Sequence, residues 1–446
     1  MKNTLPNRAV LALAWPMILS NISVPLLGIV DTAILGHLDS AVFLAAVAAG
    51  SAIITFLLWG FGFLRMGTTS LVAQAVGRGD DRACVRLLLV SLVMALSLGV
   101  MLIALQPLVI PLAVGWIDPA AGAAELARSY CQIRLFSAPA ALANFALMGW
   151  FIGRQNTKVP LLVVVATNSI NIVLDFIFIM GFGWQSDGAA AATAIADYCG
   201  LGLALWCARR HLVKLSAPVD LRDLVVPASY WDLLRVNRQL FVRTACLLFT
   251  FAFFTAQGAR MGNQFLAANA IMMQLLLLVS HGLDGFAHAA EALVGKATGE
   301  KNLAVFMGVC KSATLWSLII ALGFTGVFYV FEHPLIRLFS DIDSIIQTLN
   351  RYYTWLLLLP LVSVWSYMLD GIFIGAGQTG AMQNSMLFAC LAVFIPVWWL
   401  SQAWANHGLW LAFLCFNGAR GLTMGVLFVY LTRTRSWFSI SATPAP

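Results

Sequence analysis

The chain has 446 residues, of which 61% are hydrophobic and only 10% charged. Soluble domains carry about 25% charged and 45–50% apolar residues, so a soluble enzyme, a disordered chain and an ordinary nucleic-acid binder are all excluded. The net charge of +7 is spread over short connections rather than gathered in one basic patch. At about 20 apolar residues per crossing, the apolar content is enough for roughly a dozen membrane spans.

The N-terminus starts basic and runs apolar, like a secretory leader. The run continues to Leu35 without a convincing small-residue cleavage site, so it is expected to stay as the first span. With that run as the first, there are twelve apolar stretches in order: 9–35, 42–66, 86–114, 126–153, 158–182, 188–208, 236–257, 264–290, 304–331, 345–375, 381–402 and 407–432. Breaks carry Gly, Asp and charge, as at 77–82 (GRGDDR) and 183–188 (GWQSDG). The longest polar connection, 209–235, divides the chain into a first lobe (1–208) and a second lobe (236–446) that ends in a short tail.

Of the 26 Lys and Arg residues, 18 fall on the side that holds the N-terminus. That asymmetry puts both termini in the cytoplasm of an inner-membrane protein and requires an even number of spans. The eight cysteines mostly lie in apolar runs and form no CxxC pair, so neither a zinc site nor a disulfide framework is indicated. There is no P-loop: around Lys296 the upstream Gly and the following Ser/Thr are missing. The expected energy source is therefore an ion gradient, with no cofactor or metal. The expected partners are small organic molecules and the bilayer, not nucleic acid, and the chain is expected to act as a monomer.

A shift of 222 residues aligns the two halves without a gap. Phe43-Leu44-Ala45-Ala46 falls on Phe265-Leu266-Ala267-Ala268, Gly149 on Gly371, Phe151-Ile152-Gly153 on Phe373-Ile374-Gly375, and Thr157 on Thr379. Six spans per half make the repeats parallel, as in carriers built from two lobes that expose a central site alternately.

Acids inside spans are costly and are functional candidates by default. Asp31, Asp175 and Thr193 are counted from the nearest outer break at 1.5 Å per residue, which puts them roughly 7–12 Å below the outer boundary. Asn171 is one turn deeper than Asp175 on the same helix face. Two carboxylates, an amide and a hydroxyl thus share one level, a set able to hold a proton or a small hard cation. Asp197 lies nearer mid-span. Pro16 and Pro25 in the first span are candidate hinges that a protonation of Asp31 could act on. In the second half His281, Asp284, His288 and Glu291 form one helical stripe, with Asp370 on the tenth span. Mutual pairing, or pairing with Lys296, accounts for this cluster more simply than a coupling role. At the repeat offset Asp31 and Asp175 meet Phe253 and Val397, so the outer acidic set is not duplicated.

Several segments resemble the multidrug and toxic compound extrusion (MATE) family, in particular its DNA-damage-inducible, DinF-like branch: 17–38 (MILSNISVPLLGIVDTAILGHL), 67–80 (GTTSLVAQAVGRGD), 149–160 (GWFIGRQNTKVP), 168–183 (NSINIVLDFIFIMGFG) and 369–379 (LDGIFIGAGQT). The resemblance implies an all-α polytopic protein with twelve helices in two six-helix lobes around a V-shaped cavity. It also implies secondary active export of organic, often cationic or amphipathic, compounds, and no enzymatic activity. By the same resemblance Asp31, Asn171, Asp175 and Thr193 are the coupling residues, and Asn144, with Asp197 nearby, belongs to the first-lobe cavity. Span seven carries no acid, which argues against a second-lobe sodium site. Proton antiport is the expected chemistry. Sodium antiport on the same oxygens is the alternative, and a lipid or glycan-precursor flippase is disfavoured because the acids recognised inside the spans point away from anionic cargo.

Overall fold

A computed structural model describes residues 6–35, 41–117, 122–213, 215, 221–224 and 226–438. Within these, the side chains at 24–26, 29, 31–33, 35, 41, 221 and 223 are outside the description. The described chain is helical throughout. In order the helices are α1 (Pro6–Leu35), α2 (Ala41–Trp59), α3 (Phe63–Arg78), α4 (Asp81–Ala104), α5 (Gln106–Ile117), α6 (Ala123–Leu135), α7 (Ala138–Gly153), α8 (Lys158–Asp175), α9 (Gln185–Leu212), α10 (Ala228–Arg260), α11 (Asn263–Gly299), α12 (Leu303–Val330), α13 (Glu332–Phe339), α14 (Asp343–Gly375), α15 (Thr379–Leu387), α16 (Ile395–Leu400) and α17 (Asn406–Arg433). π-helical turns at Phe176–Gly181 and Phe388–Phe394 extend α8 and α15.

Ten helical segments are long and apolar enough to cross a membrane, and the bent pair of α6 and α7 makes eleven. The thirty-residue α1 is a further helix of spanning length, consistent with the twelve spans expected. Three expected boundaries are corrected. The second span does not end at residue 66: it continues through α3 to Arg78. Thr68, Thr69 and Ser70 there are fully buried, and Thr69 Oγ1 donates to the Arg65 carbonyl at 2.8 Å. A hydroxyl satisfied in this way sits in an apolar span at little cost, which average hydropathy cannot detect. The stretch 86–114 is two helices, because α4 stops at Ala104 and α5 starts at Gln106. The stretch 126–153 is bent by 51° between α6 and α7, where Ser137 precedes a helix with Pro139 in its first turn.

The chain forms two compact units, Met1–Ile18 with Arg238–Pro446, and Leu19–Asn237. Their boundaries fall inside α1, two residues after Pro16, and inside α10. In the unit Leu19–Asn237, α7 packs on α3 and α4, α8 packs on α9, and α2 packs on α6. In the other unit α14 packs on α11, α12 and α17.

The repeat seen in the sequence is also present in the backbone of each unit. A methyl group at Gly149 would stand 2.4 Å from the Arg65 carbonyl oxygen, and one at Gly153 would stand 2.9 Å from that of Thr69. The same construction 222 residues on brings Gly371 against Ala287 O and Gly375 against Glu291 O, both at 2.4 Å. Small residues thus let α7 meet α3, and α14 meet α11, backbone to backbone. Asp80 caps α4 by accepting from Ala83 N at 2.8 Å, and its equivalent Asn302 caps α12 by accepting from Val305 N at 3.1 Å. Left-handed backbone recurs at Gly79 and Lys301 (φ 70° and 53°), and at Gln155 and Gly377 (φ 60° and 74°).

Each of these left-handed pairs has glycine on one side only. Lys301→Gly and Gln155→Gly should therefore stabilise the protein, by up to roughly 1 kcal/mol each. Gly149→Ala and Gly371→Ala should destabilise it by about 1–3 kcal/mol through overpacking. Thermal unfolding of the purified protein in detergent reads both directions.

Candidate functional site

In the unit Leu19–Asn237 the site is built on α8. Asn168, Asn171 and Asp175 recur at helical spacing along one face. Asn171 and Asp175 are completely buried. Asn168 Nδ2 donates to Ser23 O at 3.2 Å and to Ser23 Oγ at 3.3 Å, which ties this face to α1. The amide of Asn171 satisfies its surroundings when its Nδ2 faces Asp175 and its oxygen faces α9. Nδ2 then donates to Asp175 Oδ2, and the oxygen accepts from Thr193 N and Oγ1, each at 3.0 Å. Thr193 Oγ1 also lies 2.9 Å from the Ala189 carbonyl. The structure therefore brings together Asn171, Asp175 and Thr193 of the expected set.

Asp175 is the last α-helical residue before the π-helical turn. Amides there reach further back than in an α-helix, with Phe182 N donating to Ile177 O at 2.9 Å. Such turns concentrate at functional positions. The chain then reverses through Gly183 (φ 68°), and Phe178, Phe182 and Trp184 close the end with ring centroids 5.1–6.0 Å apart. Asp31 lies in α1, but its side chain, like that of Pro25, is outside the described residues. Pro16 is buried within the same helix.

Asp197 has a partner that the sequence reading missed. Arg134 Nη1 donates to Asp197 Oδ2 at 2.9 Å, and Ser137 Oγ donates to the same oxygen at 2.8 Å. Asn144 Nδ2 donates to the Asp197 carbonyl at 3.1 Å. Asn144 and Asp197 are thus neighbours as expected, but the Asp197 carboxylate is neutralised at the α6/α7 bend. Its salt bridge ties that bend to α9.

In the other unit Asp370 is not part of the α11 stripe. Arg243 Nη2 of α10 and Arg420 Nη2 of α17 both donate to Asp370 Oδ2, the latter at 2.7 Å. All three residues are at least 93% buried. Lys296 pairs with Glu300 at 3.8 Å rather than with the stripe. His281, Asp284, His288 and Glu291 line α11, where Glu291 is buried and each of the four has partners of its own. Among the described residues no cluster of three or more His, Cys, Asp or Glu could hold a metal. Arg134, Arg243 and Arg420 were legible as cations inside apolar runs, a signal equal in weight to an acid there. Weighing only acids as in-span candidates passed over them.

Comparison with known proteins agrees with this architecture. The MatE family profile matches residues 16–177 and 240–400, once in each half of the repeat. The chain belongs to the MatE family. It is 39% identical to DNA damage-inducible protein F of Escherichia coli over 437 residues, 98% of this chain and 95% of that one. It is 28% identical to Protein DETOXIFICATION 44, chloroplastic, of Arabidopsis thaliana over 98% of this chain and 84% of that one. It is also 26% identical to a probable multidrug resistance protein NorM of Thermotoga maritima over 89% of this chain and 86% of that one. Among solved structures, a MATE crystal structure in the bent conformation superposes with a TM-score of 0.85 at 23% identity, covering 98% of each chain. An outward-facing MATE family transporter superposes with a TM-score of 0.82 at 22% identity, covering 98% of this chain and 97% of that one. These structural likenesses establish the fold. The protein is a multi-pass membrane protein of a multidrug and toxic compound efflux family, whose members are secondary transporters and not enzymes.

Removing one side of the Arg134–Asp197 pair leaves a largely buried charge at the bend, since the two side chains are only 10% and 18% exposed. Arg134→Gln should lower stability by about 1–3 kcal/mol. Adding Asp197→Asn should recover part of that loss, because no lone charge remains. If the two changes simply add in a denaturation cycle, the pair is not coupled.

Proposed function

We propose that this chain exports organic, often cationic or amphipathic, compounds in exchange for protons across the inner membrane, with both termini in the cytoplasm and with Asp31 and Asp175 as the coupling carboxyls. The observation that carries this reading is the buried Asp175, held at 3.0 Å by the amide of Asn171. An amide N–H can hold a carboxyl oxygen in either protonation state, whereas a guanidinium favours the ionised form alone. Register supports the inclusion of Asp31. The contact between Ser23 and Asn168 fixes one level on α1 and α8. Three spans intervene between these helices, so both cross in the same sense. Eight residues on from Ser23 and seven on from Asn168, at about 1.5 Å each, lie the positions of Asp31 and Asp175 at nearly one depth.

The cycle follows from charge. The ionised pair attracts a cationic cargo from the cytoplasmic side. Protonation from outside removes that attraction and releases the cargo outward, and only a differential affinity of this kind can drive the exchange. Pro16 and Pro25 of α1, together with the π-helical turn after Asp175, are the backbone elements placed to transmit the change. The orientation of Asn171 favours protons over sodium, because the amide turns nitrogen rather than oxygen towards the carboxylate and so removes one hard ligand from the set.

The test is efflux of ethidium from proteoliposomes holding the full chain, under imposed gradients. A pH gradient should drive export and a sodium gradient alone should not. Asp31→Asn and Asp175→Asn should each fall to the level of empty vesicles while keeping the wild-type unfolding midpoint. Undiminished proton-driven export by either variant would overturn its role.

A further inference from the structure

The unit formed by Met1–Ile18 and Arg238–Pro446 carries a buried charge cluster that the proposed proton coupling at Asp175 does not use. Arg243 and Arg420 sit near the middle of α10 and α17, and Asp370 sits on α14. Their exposures are 7%, 2% and 5%. Two guanidinium groups face one carboxylate, an excess of one positive charge. Arginine recognises a carboxylate through a two-pronged fork of parallel N–H donors. Here each fork is only half used: both Nη2 groups converge on Asp370 Oδ2. Arg243 Nε, Arg420 Nε and Asp370 Oδ1 have no hydrogen-bond partner among the described residues. Leaving such groups unpaired in an apolar interior is costly.

The surroundings do little to use these donors. Arg420 Nη1 donates to Asn417 Oδ1 at 3.2 Å, and the Phe416 ring lies 5.4 Å from its guanidinium carbon. On the α11 side Tyr367, one turn before Asp370, makes a hydrogen bond of 2.5 Å with Ser280 Oγ and lies near enough to Asp284, Arg420 and Asp370 to interact with their charges. Asp284 is only partly buried and has other partners.

We propose that Arg243 and Arg420 form a binding site for a monovalent anionic group, either a halide ion or the carboxylate of a cargo molecule, for which Asp370 is the resident competitor. The open Nε prongs receive the anion, which supplies the missing negative charge. When it binds bidentately it displaces Asp370 Oδ2 from one guanidinium and loosens the link between α14 and α10 or α17. The site would extend the cargo class from cations to zwitterions and organic acids. It also answers the sequence argument against anionic cargo, which counted acids only. The inference is independent of proton coupling at Asp175.

The test uses the full-length protein in detergent and follows its unfolding midpoint as chloride or benzoate replaces isethionate at constant ionic strength. The wild type should show a saturable rise. Asp370→Asn, which keeps the shape and removes the competitor, should saturate at a roughly tenfold lower concentration. Arg420→Gln should lose the response, while Asp175→Asn, outside this unit, should keep it. A chloride response without a benzoate response assigns the site to a free halide. Benzoate that competes with chloride assigns it to an organic carboxylate. A wild-type midpoint that is the same in all three anions would overturn the proposal, even if Asp370→Asn did not fold.

Discussion

A carboxylate in an apolar span needs partners, and how each one is satisfied decides what it can do. Asp197 and Asp370 are neutralised by guanidinium groups, from Arg134 in one case and from Arg243 and Arg420 in the other. Such pairs bind helices together and are expensive to break. Asp175 receives an amide hydrogen from Asn171 instead, a donor compatible with a carboxyl that gains and loses a proton. In the unit Leu19–Asn237 an ion pair joins helices at Asp197, while Asp175 is held by a neutral amide.

The two halves show that a backbone can be copied while its chemistry diverges. The close approaches at Gly149 and Gly371, the caps at Asp80 and Asn302, and the left-handed turns at Gly79 and Lys301 occupy equivalent positions. These features depend on main-chain geometry, so both copies keep them. Side chains pointing into each unit carry no such constraint. Val397 stands at the position equivalent to Asp175, whereas Arg243 and Arg420 match Asn21 and Tyr198. One unit thus presents acidic chemistry and the other an excess of positive charge.

Most of this architecture was legible in the sequence, because hydropathy and a constant repeat offset are one-dimensional signals. Spans nine and twelve lie within a residue of α12 and α17. The pairing of Asn171 with Asp175 followed from helical spacing alone. What escaped were features settled in three dimensions. α3 reads as a polar connection because its hydroxyls face protein rather than lipid. The π-helical turn after Asp175 leaves no mark in composition. Arg134 and its partner are 63 residues apart, and Arg243 and Asp370 are 127 apart, so no periodicity links them. The search for costly groups inside spans also considered acids alone and passed over the mid-span arginines.

The central claim is that cargo and proton compete for one buried carboxyl set. The most direct measurement is the proton count on binding: purified protein in weakly buffered detergent, with a pH-sensitive dye, titrated with a cationic substrate such as ethidium. The account predicts proton release that saturates with binding, grows as the starting pH is lowered, and is reduced in Asp175→Asn. Binding of unchanged affinity with no proton release at any pH would contradict it.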